Sequence, residues 1–293
     1  MTVEMLCDLE RIAETVRQRM SQSVLRVVVA AGGDGTIAEV VNRTGRGVPL
    51  TVMPLGTENL LAKYLGLKSD PRQLCEVISN ATVAPLDAGR ANGRIFLIMA
   101  SAGFDADVVE RMHRMRAGHI TRWSYARPIL DALRHYTFPE LRVRYETRNA
   151  STGGTQRRET LARWMFSFNL PRYARRIPLA PRAVGNDGLL DLYTFRHGSI
   201  ASGLWYLGWV LCRRHDRLRD CTTARVRRVH VESDARVPYQ LDGDHAGWLP
   251  LDIEVLPSRL LLMVPSAWIT QPIEDEDAAS QTMPQAMPAR SVG

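Results

Sequence analysis

Residues Val27 to Asn42, VVVAAGGDGTIAEVVN, constrain the fold more than any other stretch. Val27, Val28, Val29, Ala30 and Ala31 make a short apolar run rich in β-branched residues. Such a run predicts a parallel strand covered on both faces. Gly32, Gly33 and Gly35 then allow a turn in which several amides point inward together. Thr36 and Glu39 have the spacing of a capping box, and Ile37, Val40 and Val41 give the following helix an apolar face. A helix N-terminus behind a glycine turn is a site for phosphate. Asp34 would repel phosphate there unless its carboxylate serves a metal, a hydroxyl or a backbone amide. The same residues also suit an ordinary strand-to-helix turn, with Asp-Gly as its turn chemistry.

A second unit follows. LTVMPLGTENLLAKYLG, Leu50 to Gly66, is again an apolar strand, a turn at Pro54, Gly56 and Thr57, and a short helix closed by Gly66. Thr57 is placed to cap that helix, with Asn59 in its first turn. Two successive strand–glycine–helix units bring two amide-rich turns to one edge of a parallel sheet, where open α/β folds bind ligands.

The 293 residues allow one large domain or two modest ones. The net charge is +7 and nearly all the basic residues are arginines, which suits an anionic partner or a solvated surface. No basic and aromatic interleaving accompanies the charge, so nucleic acid is not expected. The four cysteines, Cys7, Cys75, Cys212 and Cys221, make no CxxC and suggest reduced thiols in the cytoplasm. The seven histidines show no metal spacing. No run is apolar and long enough to span a bilayer, and residues 1–20 are charged rather than signal-like.

Along the chain, Glu4 to Met20 has helical periodicity, and Asp70-Pro71 opens another helix. A strand at 83–88 leads to the hairpin signal Asn92-Gly93. Helices are expected at 105–115 and 124–135. Strands are expected at 141–147, 161–169, 189–195, 224–233, 238–241, 251–256 and 260–264, with a turn at 151–154. The second half is therefore mostly antiparallel. Asp242-Gly243-Asp244 closes a strand as a hairpin turn would. Asp187-Gly188-Leu189-Leu190-Asp191 suits a turn into a strand. Arg172, Arg175 and Arg176, beside Tyr173 and Ile177, suit a solvated loop or an anionic interface. Ser199 to Cys212 is unusually apolar, with Trp205 and Trp209 one turn apart and Arg213-Arg214 after it. Core packing is the expected role, and a membrane-facing helix is the alternative. From Ile269 onward the composition is that of a disordered tail.

GGDGT at 32–36 and PLGTEN at 54–59 resemble the diacylglycerol kinase catalytic domain of the bacterial lipid kinases. LDAGRANGRIFLIMASAGFDADV at 86–108, LAPRAVGNDGLLDLYTF at 179–195 and QLDGD at 240–244 continue the resemblance in order, from about Val24 to Pro265. The resemblance implies a Rossmann-like α/β nucleotide-binding domain at 1–87. It also implies a mostly antiparallel β-sandwich-like domain with helices at 88–268, before the tail at 269–293. It implies an ATP-dependent kinase that phosphorylates the hydroxyl of diacylglycerol or a similar lipid, working in the cytoplasm and visiting the inner face of the membrane. ATP is then expected on Gly32, Gly33, Asp34, Gly35, Thr36 and Glu39, with Gly56, Thr57 and Asn59. Asp34 and Asp244 are the expected catalytic carboxylates, Asp244 as general base.

The resemblance further implies two Mg²⁺ ions. One arrives with ATP. The other orders the loop of Val184, Asp187 and Leu189, whose carboxylate and carbonyl donors suit a hard cation. A homodimer is common among relatives of this kind. The chain departs from the family's pattern in four places. Residues 169–177, from Asn169 to Ile177, stand where a glycine-rich loop is common. The family usually carries an earlier strand with an Asn-Pro-x-x-Gly loop, which the sequence does not show. Leu60 stands where an Asp is common. Asp244 stands for the Glu of an Asp-Gly-Glu motif, one methylene shorter. An NAD kinase-like enzyme, which shares a GGDGT-type turn, is one alternative, and a module that binds nucleotide or lipid without catalysis, motivated by the missing strand, Leu60 and Asp244, is the other.

Overall fold

The structure is a computed structural model that describes residues 2–115, 126–148, 154–171 and 177–270. The expected turn at 151–153, the arginine loop at 172–176 and the tail from 271 lie outside the described residues.

Helix α1 (Leu9–Ser21) begins later than periodicity suggests, because Asp8 caps it by accepting the Glu10 amide at 2.9 Å. Strand β1 (Val28–Gly32) pairs in parallel with β2 (Pro49–Pro54), with Val28 opposite Leu50 and Gly32 opposite Pro54. Both are followed by short helices, α2 (Asp34–Arg43) and α3 (Leu60–Tyr64). Coverage on both faces fails for β1. It ends the sheet path with a single partner strand, and Val29 is 37% exposed. Leu50, Thr51 and Val52 in β2 are buried as expected. Helix α4 (Pro71–Asn80) starts where Asp70-Pro71 predicts, with the Asp70 carboxylate on the Arg72 amide at 2.9 Å.

Strand β3 (Val83–Ala91) turns at Asn92 and Gly93, both at positive φ (46° and 88°), into β4 (Arg94–Phe96). Then come β5 (Met99–Gly103), α5 (Phe104–Arg114), α6 (Ala126–His135), β6 (Leu141–Arg148), β7 (Thr155–Ala162), β8 (Trp164–Phe168) and β9 (Leu190–Phe195). Helix α7 (Ile200–Leu211), β10 (Cys221–Glu232), β11 (Pro238–Leu241), β12 (Asp244–Trp248), β13 (Leu251–Met263) and α8 (Ser266–Thr270) complete the described chain. The expected strand at 161–169 is two strands, with the break at Arg163. The expected strands at 251–256 and 260–264 are one, carried through an irregularity between Leu256 and Leu260. The tail expected from Ile269 starts inside α8.

Among the described residues all the strands belong to one 13-stranded sheet, ordered β1-β2-β13-β10-β9-β8-β5-β11-β12, with β3, β4, β6 and β7 as side branches. Strand β13 joins the two halves. Its first residues pair antiparallel with β10, and Leu261 and Leu262 lie parallel to Pro49 and Leu50 of β2. One core therefore holds Ala30, Val41 and Val52 with Leu260 and Leu262. A second gathers Leu141, Val143, Leu192, Val229 and Ile253. The result is an α/β layer continued into a mostly antiparallel, sandwich-like layer. The edge where β1 and β2 end faces the β11–β12 hairpin.

Candidate active site

The two glycine turns touch each other. A Cβ added to Gly56 would lie 2.5 Å from the Gly33 Cα, so only glycine lets these backbones pass. The Leu55 amide donates to the Gly32 carbonyl at 3.0 Å. Asn59 sits at φ 49° and brackets Gly56, accepting from its amide at 3.0 Å and donating to its carbonyl at 2.7 Å. Asp34 clamps the pair: its two carboxylate oxygens accept the Leu60 amide at 2.9 Å and the Leu61 amide at 3.1 Å. Its charge is thereby spent on the first turn of α3. The amides of Asp34, Gly35 and Thr36, at the start of α2, stay available to an anion.

The capping box is not formed. Gly33 is the N-cap of α2 and no side chain caps that end. The Thr36 side chain packs against Gly32, where a Cβ would meet its Oγ1 at 2.5 Å. Glu39 points along α2 to Arg43 and across to Arg94, at 2.9 Å from the latter. Thr57 does not cap α3 either, since Asn59 in a left-handed conformation occupies that place and Asp34 supplies the acceptor.

The β11–β12 hairpin comes over these turns. Asp242 (φ 53°) and Gly243 (φ 92°) form its bend. The Asp242 carboxylate accepts three successive amides, Leu97 at 2.7 Å, Ile98 at 2.8 Å and Met99 at 3.0 Å. Burial pushes its carboxyl up to about 6, against those three amides, and Asp34 adds to the rise. Buried Gln240 accepts the Gly243 amide at 2.7 Å and donates to Ser101 at 2.9 Å. So fixed, the hairpin holds exposed Asp244 with its Oδ2 3.7 Å from where a Gly35 Cβ would be. Gly35, Thr36, Glu39, Arg94, Asp242 and Asp244 line a cleft of about 410 Å³, with Cys7 and Leu9 on its rim.

Asn42 and Asn169 also fix the site, and neither belongs to a motif. Asn42 exchanges hydrogen bonds with both backbone groups of Ile95, at 2.8 and 2.9 Å, tying α2 to β4. Asn169 donates to the carbonyls of Asp87 and Leu97 at 3.0 and 2.8 Å. The only trace of them in the sequence is an uncharged amide ending an apolar run.

The Asp187 loop lies apart from this cleft. Asp187 accepts the Leu189 amide at 2.9 Å and forms an ion pair with Arg225. Asp87 accepts the amides of Gly188 at 2.6 Å and Ser258 at 2.7 Å. Both Asp187 oxygens are thus committed, one of them to a cation of the chain itself. The described residues hold no group of three or more His, Cys, Asp or Glu suited to a metal. A cation on the expected set of Val184, Asp187 and Leu189 would have to compete with Arg225 for the Asp187 carboxylate.

Residues 4–91 match the model of the diacylglycerol kinase catalytic domain, and residues 98–264 match that of the YegS C-terminal NAD kinase beta sandwich-like domain. The chain belongs to the bacterial diacylglycerol kinase and YegS-like lipid kinase family. A Bacillus subtilis protein named diacylglycerol kinase is 26% identical over 247 residues, 82% of this chain and 78% of its own length. A Mycobacterium tuberculosis diacylglycerol kinase is 29% identical over 81% of this chain and 76% of its own. The solved structure of a putative diacylglycerol kinase from Bacillus anthracis superposes with a TM-score of 0.64. It is 18% identical and covers 89% of this chain and 85% of its own, which shows a shared fold.

Proposed function

We propose that this family member is an ATP-dependent lipid kinase acting on the hydroxyl of diacylglycerol or a related lipid, at the inner face of a membrane. The observation that carries the reading is the placement of Asp244 over Gly35. It sets a solvent-facing carboxylate beside the amides that start α2. A kinase needs donors for phosphate oxygens and a base for the attacking hydroxyl within one short span.

In this reading the two glycine turns hold the ATP phosphates. Asp34 keeps the turns clasped and sends its own charge away from them. The Asp244 carboxylate takes the proton of the lipid hydroxyl. The freed oxygen bonds to the γ-phosphorus, the bond from that phosphorus to its bridging oxygen breaks, and ADP leaves with the electron pair. Asp242 and Gln240 touch no reacting atom. They position Asp244. A Mg²⁺ arriving with ATP would supply charge neutralisation to the phosphates. Asp34 and Asp242 are committed to amides and Glu39 to two arginines, so Asp244 is left to serve as the base and the ion would be held by the ATP phosphates themselves.

The test is transfer of radiolabelled γ-phosphate from ATP to diacylglycerol in mixed micelles, with wild type, Asp244→Asn and Asp34→Asn. Labelled phosphatidic acid from the wild type, lost in both variants, supports the reading. Full activity in Asp244→Asn removes the base. Phosphorylation of NAD without lipid, or ATP binding with no product from any lipid, replaces the reading outright.

A further inference from the structure

Helix α7 breaks the rule that a helix buries its apolar side. No charged residue occurs from Gly198 to Cys212. One face is packed: Tyr206 and Val210 are buried, Gly203 lies against the Trp164 ring, and the Tyr206 hydroxyl donates to Asp220 at 2.6 Å. Ser199 and Ser202 form a capping box at its start, so the helix is firmly seated. The opposite face carries Ala201, Leu204, Trp205, Gly208, Leu211 and Cys212, at the three- and four-residue spacing of a single stripe. All six are exposed, Leu204 by 66% and Trp205 and Leu211 by 58% each. The core role expected from composition therefore applies to half of the helix only.

A continuous apolar stripe with no polar residue marks a contact surface. Its surroundings indicate with what. Arg196 flanks the start of α7, and Arg213, Arg214, Arg217 and Arg219 follow its end, all exposed, against the acids Asp216 and Asp220. A second copy docked stripe to stripe would bring arginines onto arginines. An anionic surface would take the arginines at its charged level and the stripe below it. Trp205 and Trp209, in edge contact at 5.8 Å, are the side chains that favour such a boundary.

We infer that α7 is a membrane-docking helix, which lays Leu204, Trp205 and Leu211 into the boundary layer of an anionic bilayer while the flanking arginines meet its headgroups. Among the described residues no helix is long and apolar enough to cross a membrane, so the contact is one of lying on the surface. The inference deepens the membrane part of the proposed function and is independent of the chemistry of the cleft, to which α7 contributes no lining residue.

The experiment is flotation of the full chain, without nucleotide, on vesicles of phosphatidylcholine and phosphatidylglycerol in equal parts and on phosphatidylcholine alone. The wild type is compared with Leu204→Gln/Trp205→Gln/Leu211→Gln and with Arg214→Gln/Arg219→Gln. The expected result is binding to the mixed vesicles that falls at least about tenfold in the apolar variant and severalfold in the arginine variant. A thermal melt of each variant separates loss of docking from loss of fold, and Leu204→Gln alone serves if the triple change unfolds. Equal flotation of wild type and apolar variant overturns the inference. So does absence of flotation, whether the wild type is monomeric or forms a dimer that the apolar changes dissolve. Activity on a short-chain diacylglycerol dissolved as monomers is measured in parallel. No product there or with any other lipid counts against the kinase reading and leaves the docking result untouched.

Discussion

The Asp34 carboxylate accepts the Leu60 amide at 2.9 Å, across 26 positions of sequence, and so binds the first glycine turn to the second. Asn at this position has one acceptor where two amides, those of Leu60 and Leu61, need acceptors. Its NH₂ would face an N–H. Asp34→Asn should cost about 1–3 kcal/mol in urea denaturation and weaken nucleotide binding about tenfold by calorimetry. Unchanged values in both would show that the clasp is incidental.

The approach of Gly33 and Gly56 gives a sharper test. A methyl on Gly56 meets the Gly33 Cα at 2.5 Å, whereas one on Gly45 meets nothing within 4 Å. Gly56→Ala should push the turns apart, lower stability by about 1–3 kcal/mol and abolish measurable nucleotide binding. Gly45→Ala should leave both properties within error. The two variants melting alike would refute the contact.

Asp242 makes stability depend on pH. Burial raises its carboxyl to about 6 in the folded chain, above an ordinary aspartate. Between about pH 4 and about pH 6 the folded chain therefore binds the proton more tightly than the unfolded chain does, and stability falls as pH rises through that window. Asp242→Asn does not titrate and sets an NH₂ against one of three amides. It should be less stable than wild type near pH 4, by a gap that narrows by of order 2 kcal/mol above pH 6. Denaturation at the two pH values reads the gap, and a constant gap would exclude this titration.

The two glycine turns were legible because their conformational needs are local. What the turns hold was less so. Asp34 finds its donors on α3 and Asp242 finds three amides leading into the first residue of β5, and no local pattern announces such partners. Strand β7 escaped notice because it pairs only with β6 and carries charges on both faces, as edge strands do, in place of alternation. The two strands expected at 251–256 and 260–264 are one, because β13 absorbs the segment between them as an irregularity and returns to β2. The apolar residues of α7 suggested core because composition cannot tell a buried face from an exposed one. Arg225 was invisible as the partner of Asp187, since only pairing of β9 with β10 brings the two segments together.

The proposed role of Asp244 separates catalysis from structure. That residue is exposed at the start of β12, while the bend is fixed by Asp242, Gly243 and Gln240. Asp244→Asn removes the proposed base and leaves these bonds in place, so stability should stay within about 0.5 kcal/mol of wild type. General-base catalysis contributes about 10²–10⁴-fold, and kcat for lipid phosphorylation should fall by that order with little change in the KM for ATP. Asp244→Glu restores a carboxylate on a stem one methylene longer, over a residue with no side chain to clash. It should retain activity within about tenfold of wild type. The pair of variants discriminates between roles. If the carboxylate is the base, Glu works and Asn does not. If Asp244 serves only the hairpin, both variants keep their activity, and the base must be sought elsewhere in the cleft.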